Sequence, residues 1–309
     1  MIAFIDQQRA TYGVESICSQ LPIAPSTYYW HRERQEDPRR RSARTRRDDE
    51  LRDAIQRVWD EQDQVYGPRT VWRQLKREDV VVARCTVRRL MRAMVLQGAI
   101  RGRAWTTTTQ PAPVTDRPAD LVARNFTASR PNQRWVSDFT YVATWGGVVS
   151  VAFVIDVFAR RIVGWRVSAS LRTDCVLDAL EQALYDRQGA DLAGLVHHRD
   201  RGRQYLSMRY TDRLADAGIA PSVGSRGDSY DNALAESVIG LFKTKVIHRR
   251  GPWRHLEAVE FATLAWVDWF NTRRLLEPLG YVPPAEYEER YDDQAKVRVP
   301  GRGGNSVSR

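Results

Sequence analysis

Three consecutive strand-like segments between residues 131 and 169 are the feature that most restricts the fold of this chain. The segments are WVSDFTYVAT, GVVSVAFVIDVFA and RRIVGWRVS, and all three are rich in the β-branched and aromatic residues that favour strands. Gly146 and Gly147 separate the first two segments and predict a hairpin turn. The pattern therefore predicts three antiparallel strands in succession.

Alternating helix and strand signals follow these three strands. We predict a helix over about residues 173–187, a strand at LAGLVHH, a helix over about 207–217, a strand at IAPSV and a helix that begins near SYDNALAES. This order predicts an α/β, ribonuclease-H-like fold, in which helices flank a mixed five-stranded sheet. We assign residues 131–250 to this ribonuclease-H-like core and residues 251–309 to a C-terminal helix and tail.

Three carboxylates fall where this fold brings strand ends and helix starts together. Asp138 lies within the first strand, Asp200 follows the fourth, and Glu236 lies on the helix after the fifth. A single helical glutamate is more often solvated, but three clustered carboxylates repel one another unless a cation is bound. Because oxygen ligands without cysteine favour Mg²⁺ or Mn²⁺ over zinc, the cluster predicts a divalent metal site.

The first 130 residues have a different character. Val14, Ile17, Cys18 and Leu21 give a short helical stripe, and a second helix starts at Pro25, so residues 1–37 resemble a helix-turn-helix segment. Residues 38–100 predict a second helical, DNA-binding module, with Pro68 as the first residue of one helix. A dense arginine run, 39–47, predicts a basic linker or phosphate-tracking arm. Residues 101–130 have the composition of a linker.

Charge separates the two parts of the chain. Residues 1–130 carry 24 Lys and Arg against 16 Asp and Glu, a net charge of +8, whereas residues 131–309 carry 24 against 22, a net charge of +2. No apolar run approaches the 18 or so residues of a membrane span, so we expect the basic part to bind nucleic acid. Three widely spaced cysteines and the lack of a signal-peptide pattern predict a cytoplasmic protein.

The motifs resemble one family in particular. The stretches WVSDFTYV, HHRDRGRQY and SYDNALAES, with 61 residues between the two aspartates and 35 between Asp200 and Glu236, are similar to the catalytic core of OrfB-type insertion-sequence transposases, which are relatives of retroviral integrases. The resemblance extends to YGPRTVWRQL upstream and WVDWFNTRRLLEPLGYVPPAEY downstream. It therefore covers nearly the whole chain.

The resemblance implies a DDE-type enzyme that cuts the ends of a mobile DNA element and joins the freed 3′-hydroxyl to target DNA. It implies that Asp138, Asp200 and Glu236 hold Mg²⁺ or Mn²⁺ in a two-ion arrangement. It also implies binding to double-stranded DNA, action as a homo-oligomer on DNA, a nucleoid-associated location in a bacterium, and an upstream-frame protein as fusion or partner. The zinc module of integrases is absent from the sequence, so no zinc is expected.

Candidate DNA-contacting residues are weaker predictions. Arg88, Arg89 and Arg92 lie off the apolar stripe of a basic helix, and Lys243 lies seven residues beyond Glu236 on the same helical face. Arg199 and Arg203 flank Asp200, where they could lower the pKa of that aspartate or bind DNA. Asn232 is expected to orient Glu236 or cap its helix.

Other polar residues favour a structural interpretation. Asp156 follows an apolar strand and precedes a turn, which indicates a turn residue more than a metal ligand. For His197 and His198 we expect one side chain to point into the core and the other outward. Neither has cysteine partners for zinc.

Two alternatives remain beside the transposase hypothesis. The first is a non-catalytic DNA-binding regulator of element ends on the same fold. The second is a ribonuclease-H-type nuclease, which leaves the two N-terminal helical modules unexplained. In each case we expect residues 1–130 to supply most of the DNA affinity, because they carry most of the positive charge.

Overall fold

A computed structural model describes residues 1–99, 127–170, 174–199, 208–223 and 233–298. In these residues the sheet consists of β1 (Arg134–Thr144), β2 (Gly147–Asp156), β3 (Arg161–Ser168), β4 (Val196–Arg199) and β5 (Ala220–Val223). The spatial order is β3-β2-β1-β4-β5. The first three strands are antiparallel, and β4 and β5 are parallel to β1. The predicted ribonuclease-H-like sheet is confirmed.

The described helices lie on both sides of the sheet and in the N-terminal part of the chain. They are α1 (Ile2–Tyr12), α2 (Val14–Ser19), α3 (Pro25–Glu36), α4 (Ala43–Glu61), α5 (Pro68–Arg77), α6 (Arg84–Ala93), α7 (Asp174–Asp186), α8 (Met208–Asp216), α9 (Ala233–Phe242), α10 (His248–Arg250), α11 (Leu256–Thr272) and α12 (Pro284–Arg298). A π-helical segment, Lys243–Ile247, connects α9 to α10. As predicted, Pro68 begins a helix.

The two faces of the sheet have separate cores. Trp135, Ala152 and Val154 pack with the apolar residues of α7 and α8. Val136 and Phe153 point to the opposite face and pack with α9 and α11. Side chains alternate between the faces of a strand, so covering both faces explains why β2 is buried almost throughout.

Aromatic side chains join the sheet to α9 and α11. The ring centroids of Phe153, Phe242 and Trp266 lie 5.0 to 5.6 Å from one another, in edge-on orientations. Trp266 also contacts Phe270 at 5.2 Å. Rings at these separations stabilise the core beyond the burial of their area. Helix α11 is therefore part of the core of the sheet domain.

The helical module of α4, α5 and α6 packs against the sheet domain. Leu51, Ile55, Val71 and Leu90 belong to the same hydrophobic cluster as α9 and α11. At the border, Trp269 Nε1 donates a hydrogen bond to Gln62 Oε1 at 3.0 Å, and both residues are buried. The module and the sheet domain thus share one core.

The π-helical segment and α10 add polar contacts to this junction. Lys245 Nζ donates to the carbonyl oxygen of Gln64 at 3.3 Å, and Arg249 Nη1 donates to the carbonyl oxygen of Asp63 at 2.7 Å. Arg250 forms an ion pair with the Asp63 carboxylate at 3.2 Å. Burial lowers the pKa of Lys245. These bonds connect the end of the Glu236 helix to the turn between α4 and α5.

The N-terminal segment contains one more helix than we predicted. Helix α1 precedes α2 and α3, and Ile5 on α1 packs with Ile17, Cys18 and Tyr28 in a small core of its own. The Tyr28 hydroxyl donates to Asp6 Oδ1 at 2.7 Å. The short helix, turn and second helix that we predicted are present as α2 and α3.

The arginine run at 39–47, for which we predicted a basic linker or a phosphate-tracking arm, includes a 3-10 turn and the start of a long helix. Pro38–Arg40 is a 3-10 turn, and Arg44, Arg46 and Arg47 lie in the first turns of α4. Acidic side chains and backbone carbonyls offset the repulsion between these arginines. Arg40 pairs with Glu33. Arg41 Nη1 donates to Asp49 at 2.9 Å, and Arg41 Nε donates to the carbonyl oxygen of Arg34. A count of like charges in sequence could not reveal these partners.

The C-terminal region has two helices in place of the single helix that we predicted. Helix α12 is fixed by Glu288, which is 3% exposed and pairs with Arg161 and Arg187, each at 2.7 Å. Residues 101–126 of the predicted linker, 101–130, lie outside the described residues. Among the residues that the structure describes, no helix is both long and apolar enough to cross a membrane.

Candidate active site

Asp138 lies on the face of β1 that α9 covers. Val136 and Val142, two and four residues away along the strand, pack with α9 residues such as Leu234 and Val238, so the alternation of the strand places Asp138 on the same face. The side chain is half-buried. Its Oδ1 accepts a hydrogen bond from the backbone N–H of Phe139 at 2.8 Å, which restricts the rotation of the carboxylate.

Glu236 lies in the first turn of α9, the helix that packs on β1. Leu234, Val238 and Phe242, spaced at four-residue intervals along the helix, are all buried. Ile239 is buried as well. Glu236 itself is only half-buried. Two of the three predicted carboxylates are therefore carried by elements that pack against each other.

The third carboxylate, Asp200, lies outside the described residues. The last described pair of the β1–β4 ladder is Ser137 with Arg199, one residue before Asp138 and one residue before Asp200 in the chain. Asn232 and Arg203 also lie outside the described residues. In the described part of the chain, no three His, Cys, Asp or Glu side chains form a metal-binding group.

Arg199 does not occupy a surface that DNA could reach. Its side chain is 1% exposed, and its guanidinium lies over the Tyr210 ring, 5.2 Å from the ring centroid. It is on the face of the sheet that α8 covers, opposite to Asp138. Direct DNA contact by Arg199, which we considered from its position beside Asp200, therefore does not agree with this arrangement.

The expectation that one of the two histidines points outward is wrong. His197 and His198 are both fully buried, because helices cover both faces of the sheet. His197 Nδ1 lies 3.1 Å from the Tyr210 hydroxyl, and His198 Nδ1 lies 2.9 Å from the Ser222 hydroxyl. Burial lowers the pKa of His197 to about 3, with a further contribution from the Arg199 charge. Their structural role is confirmed by these contacts.

Asp156 serves as the turn residue that the sequence indicates. Its Oδ1 accepts from the backbone N–H of Phe158 at 2.8 Å, and its Oδ2 accepts from that of Asn132 at 2.7 Å. The side chain is fully buried, and burial raises the pKa of Asp156 to about 6. Both oxygens thus satisfy backbone donors at the end of the sheet where β2 turns into β3.

The basic residues proposed for DNA contact have different surroundings. Arg88 and Arg92 on α6 are exposed. Arg89 Nη2 bonds both oxygens of Asp48, at 2.7 and 2.9 Å, and lowers the pKa of that carboxyl. Lys243 is half-buried and begins the π-helical segment. Arg88, Arg89 and Arg92 are therefore all exposed on α6, and Arg89 differs from the other two in its ion pair with Asp48.

Sequence reasoning missed the buried ion group around Glu288. Arg161 comes from β3 and Arg187 follows α7, so the three residues are far apart in the chain. Nothing in the sequence around Glu288 signals this role, although a charged residue buried on a helix requires partners. The group fixes α12 to the sheet domain and does not contact the candidate site.

Comparison with known proteins identifies the family. An integrase core domain family matches residues 128–229, a second integrase core domain family matches residues 217–284, and an HTH-like domain family matches residues 46–104. The transposase of insertion sequence IS629 from Shigella sonnei is 57% identical over 94% of this chain and 96% of that relative. The chain belongs to the OrfB-type insertion-sequence transposases.

Other members of the transposase family are similar over comparable lengths. The putative transposase of IS986/IS6110 from Mycobacterium tuberculosis is 54% identical, over 91% of this chain and the whole of that relative. Among solved structures, the intasome of simian T-cell lymphotropic virus with a PP2A regulatory subunit matches 64% of this chain and 65% of that chain, at 14% identity and a TM-score of 0.44. The HTLV-2 integrase catalytic core domain in complex with magnesium matches 52% of this chain and 98% of that chain, at 16% identity and a TM-score of 0.39.

Proposed function

We propose that this transposase is a DDE-type polynucleotidyl transferase, which cleaves DNA at the ends of its insertion sequence and joins the freed 3′-hydroxyl to target DNA. The observation that carries the proposal is that Glu236 lies on the helix packed against the face of β1 that presents Asp138. Family membership supports the same reaction.

The donor atoms fit a divalent cation with a preference for oxygen. Asp138 and Glu236 are half-buried, and two carboxylates on facing elements repel each other unless a positive charge compensates them. The last described pair of the ladder between β1 and β4 is Ser137 with Arg199, and these residues directly precede Asp138 and Asp200. If the pairing continues by one residue, Asp200 joins the other two, and the set favours Mg²⁺ or Mn²⁺.

A pair of such ions would activate the attacking hydroxyl and stabilise the leaving oxygen in an in-line displacement at phosphorus. The contribution of the chain is to position the ligands and the DNA. The N–H of Phe139 limits rotation of the Asp138 carboxylate, and packing of Leu234 and Val238 fixes the height of Glu236 above β1. Lys243, at the far end of α9, is placed to bind a DNA phosphate.

The helical module supplies DNA binding in this proposal. It matches an HTH-like domain, and α6 presents Arg88 and Arg92 to solvent. Because the module shares a core with α9 and α11, DNA bound to α6 is held in a fixed relation to Glu236. A second copy of the chain on DNA and an upstream-frame partner also remain proposals.

The test compares cleavage of a labelled element-end duplex by wild-type protein and by Glu236→Gln. The substitution keeps the helix and the size of the side chain but removes a charged ligand, so strand cleavage and joining in Mg²⁺ should fall by several orders of magnitude. Glu289→Gln is the matched control, because Glu289 is an exposed helical glutamate on α12. Cleavage by Glu236→Gln within a few-fold of wild type would contradict the proposal.

A second measurement does not depend on turnover. A cation that binds only the native state raises its stability, so Mn²⁺ should raise the unfolding temperature of wild type and of Glu289→Gln. Asp138→Asn and Glu236→Gln should show a much smaller rise. A regulator without catalysis predicts instead that wild type binds end DNA, shows no metal-dependent stabilisation and leaves the duplex intact.

A further inference from the structure

The hairpin between β1 and β2 ends in an exposed tryptophan. Trp145 is 69% exposed, in a turn that the Thr144 hydroxyl closes by donating to the carbonyl of Gly147 at 2.7 Å. Gly147 has a φ of +120°, a conformation that residues with a side chain rarely adopt. Trp145 is thus a large exposed aromatic side chain on a well-defined turn.

This tryptophan is held in place by a distant part of the chain. The backbone N–H of Trp145 donates to the carbonyl of Trp253 at 3.0 Å, and Thr144 and Trp253 form an isolated parallel bridge. Trp253 is itself buried, and its Nε1 donates to the carbonyl of Ile247 at 3.1 Å. The hairpin tip is therefore anchored to the segment that leads away from the Glu236 helix.

The surroundings of Trp145 carry positive charge. The Arg254 guanidinium lies 5.5 Å from the centroid of the Trp145 ring, within the range of a cation–π contact. The anchoring segment, 243–255, contains five Lys or Arg and no Asp or Glu, and the hairpin strands from 139 to 155 contain no charged residue. Lys245, Arg249 and Arg250 of that segment bond to Gln64 and Asp63, so Arg254 is the cation placed beside the ring. An exposed aromatic ring beside a cation, on a hairpin without acidic residues, is complementary to a nucleic acid strand.

The position of the ring along β1 connects it to the candidate active site. Trp145 follows Asp138 by seven residues on one continuous strand and turn, a span of about 23 Å at the usual rise of a strand. A DNA strand that leaves the carboxylates along the hairpin would reach Trp145 after about seven nucleotide steps.

We propose that Trp145, with Arg254 beside it, is a stacking platform for an unpaired base of the bound DNA. The aromatic face stacks on the base, and the guanidinium pairs with a neighbouring phosphate. An unpaired base is required because a base within a duplex already has stacking partners on both faces. This binding needs no metal and goes beyond the strand-transfer function proposed above.

The test uses the full chain in metal-free buffer and two DNA probes. One is a blunt duplex, and the other is the same duplex with a single-stranded overhang that carries 2-aminopurine, a base whose fluorescence falls when it stacks on an aromatic ring. Wild type should prefer the overhang probe and quench its fluorescence. Trp145→Ala should bind the overhang probe about 5- to 100-fold more weakly, with little change for the blunt duplex.

Four further variants separate stacking from general effects on DNA binding. Trp145→Phe keeps a ring and should restore part of the preference and of the quenching. Tyr185→Phe and Tyr185→Ala alter another exposed aromatic residue, 73% exposed on α7, and should behave as wild type. Arg254→Gln should weaken binding of both probes and reduce the slope of affinity with salt by about one ion.

Equal preference and equal quenching in wild type and Trp145→Ala would overturn the inference. A change in sedimentation of Trp145→Ala without a change in either DNA readout would also overturn it, since it would assign the ring to a protein contact. Because all measurements are made without metal, loss of stacking can be observed whether or not Glu236→Gln abolishes cleavage. The two proposals can therefore fail separately.

Discussion

The hydroxyl of Tyr66 accepts a hydrogen bond from the backbone N–H of Leu275 at 2.7 Å, across more than two hundred residues of sequence. The same hydroxyl donates to the carbonyl of Arg273 at 3.2 Å. Tyr66 follows α4 in the HTH-like module, and Leu275 follows α11. Burial raises the pKa of Tyr66 to about 12, so the hydroxyl keeps its proton at neutral pH.

Tyr66→Phe should destabilise the protein, because it leaves the Leu275 N–H and the Arg273 carbonyl without this partner in a buried place. We expect a loss of about 1–3 kcal/mol in the free energy of unfolding. Urea denaturation of the full chain measures it. Tyr185→Phe, at an exposed position, is the control and should change stability by less than about 0.5 kcal/mol. Equal stability of the two variants would show that the Tyr66 hydroxyl does not hold the junction.

Gly164 allows α7 to pack closely against β3. A Cβ at this position would lie 2.1 Å from the carbonyl oxygen of Ala179 and 2.9 Å from the Ala183 Cβ. Since the nearest atom is backbone, Gly164→Ala requires the helix to shift, and we expect a loss of about 1–3 kcal/mol or more in stability. Thermal and urea denaturation measure this effect.

Gly240→Ala is the matched control for that substitution. A Cβ at Gly240 meets nothing within 4 Å, and the residue lies inside α9, where alanine is favoured over glycine by about 1 kcal/mol. Gly240→Ala should therefore be neutral or slightly stabilising. If both variants lose similar stability, the close approach of α7 to β3 is not the cause.

His197 predicts a specific loss of stability in acid. The pKa of His197 is about 3 in the folded protein, below the ordinary value of 6.5. Between pH 3 and pH 6.5, therefore, this histidine binds a proton in the unfolded chain but not in the folded protein. Stability should therefore fall as pH falls through this window, by up to about 1.4 kcal/mol per pH unit for this one group.

His197→Asn removes the titrating group but keeps a polar atom near the Tyr210 hydroxyl. The free energy of unfolding of this variant should change less between about pH 6 and pH 4 than that of wild type. Urea denaturation across the window gives the two slopes. His255→Asn, at the exposed histidine that caps the N-terminus of α11, serves as the control, because asparagine can also cap a helix. Parallel curves for wild type and His197→Asn would contradict the prediction.

Substitutions at Arg88 and Arg92 test the prediction that the basic N-terminal part supplies most of the affinity for DNA. Replacing both by Gln should weaken duplex binding and lower the slope of log affinity against log salt by about two, as expected for two phosphate contacts. The control removes two charges from α12, by Arg290→Gln and Lys296→Gln. Similar salt slopes for the two double variants would mean that α6 does not contact phosphates.

Point substitutions are preferable to truncation for this test. We expect most of the DNA affinity in residues 1–130, but the HTH-like module shares its core with α9 and α11. Removal of the module would expose Trp269 and other buried residues, so a fragment of residues 131–309 would lose stability along with charge.

Local patterns in the sequence determined the order of strands and helices. The enrichment of β-branched and aromatic residues in the segments that form β1 and β2 is a local property of the sequence, and the structure confirms both segments as strands. Asp138 and Glu236 were selected on the same basis, from their places on a strand and on a helix. The predicted closeness of all three carboxylates stays a prediction, because Asp200 lies outside the described residues.

Contacts between distant parts of the chain decided what the sequence left open or indicated wrongly. His198 and Arg199 are buried because helices cover both faces of the sheet, and this depends on how α8 and α9 pack. Trp253 anchors Trp145 from more than a hundred residues away. Periodicity describes which face of an element is apolar, but burial depends on the element that packs there, and only the tertiary structure supplies that partner.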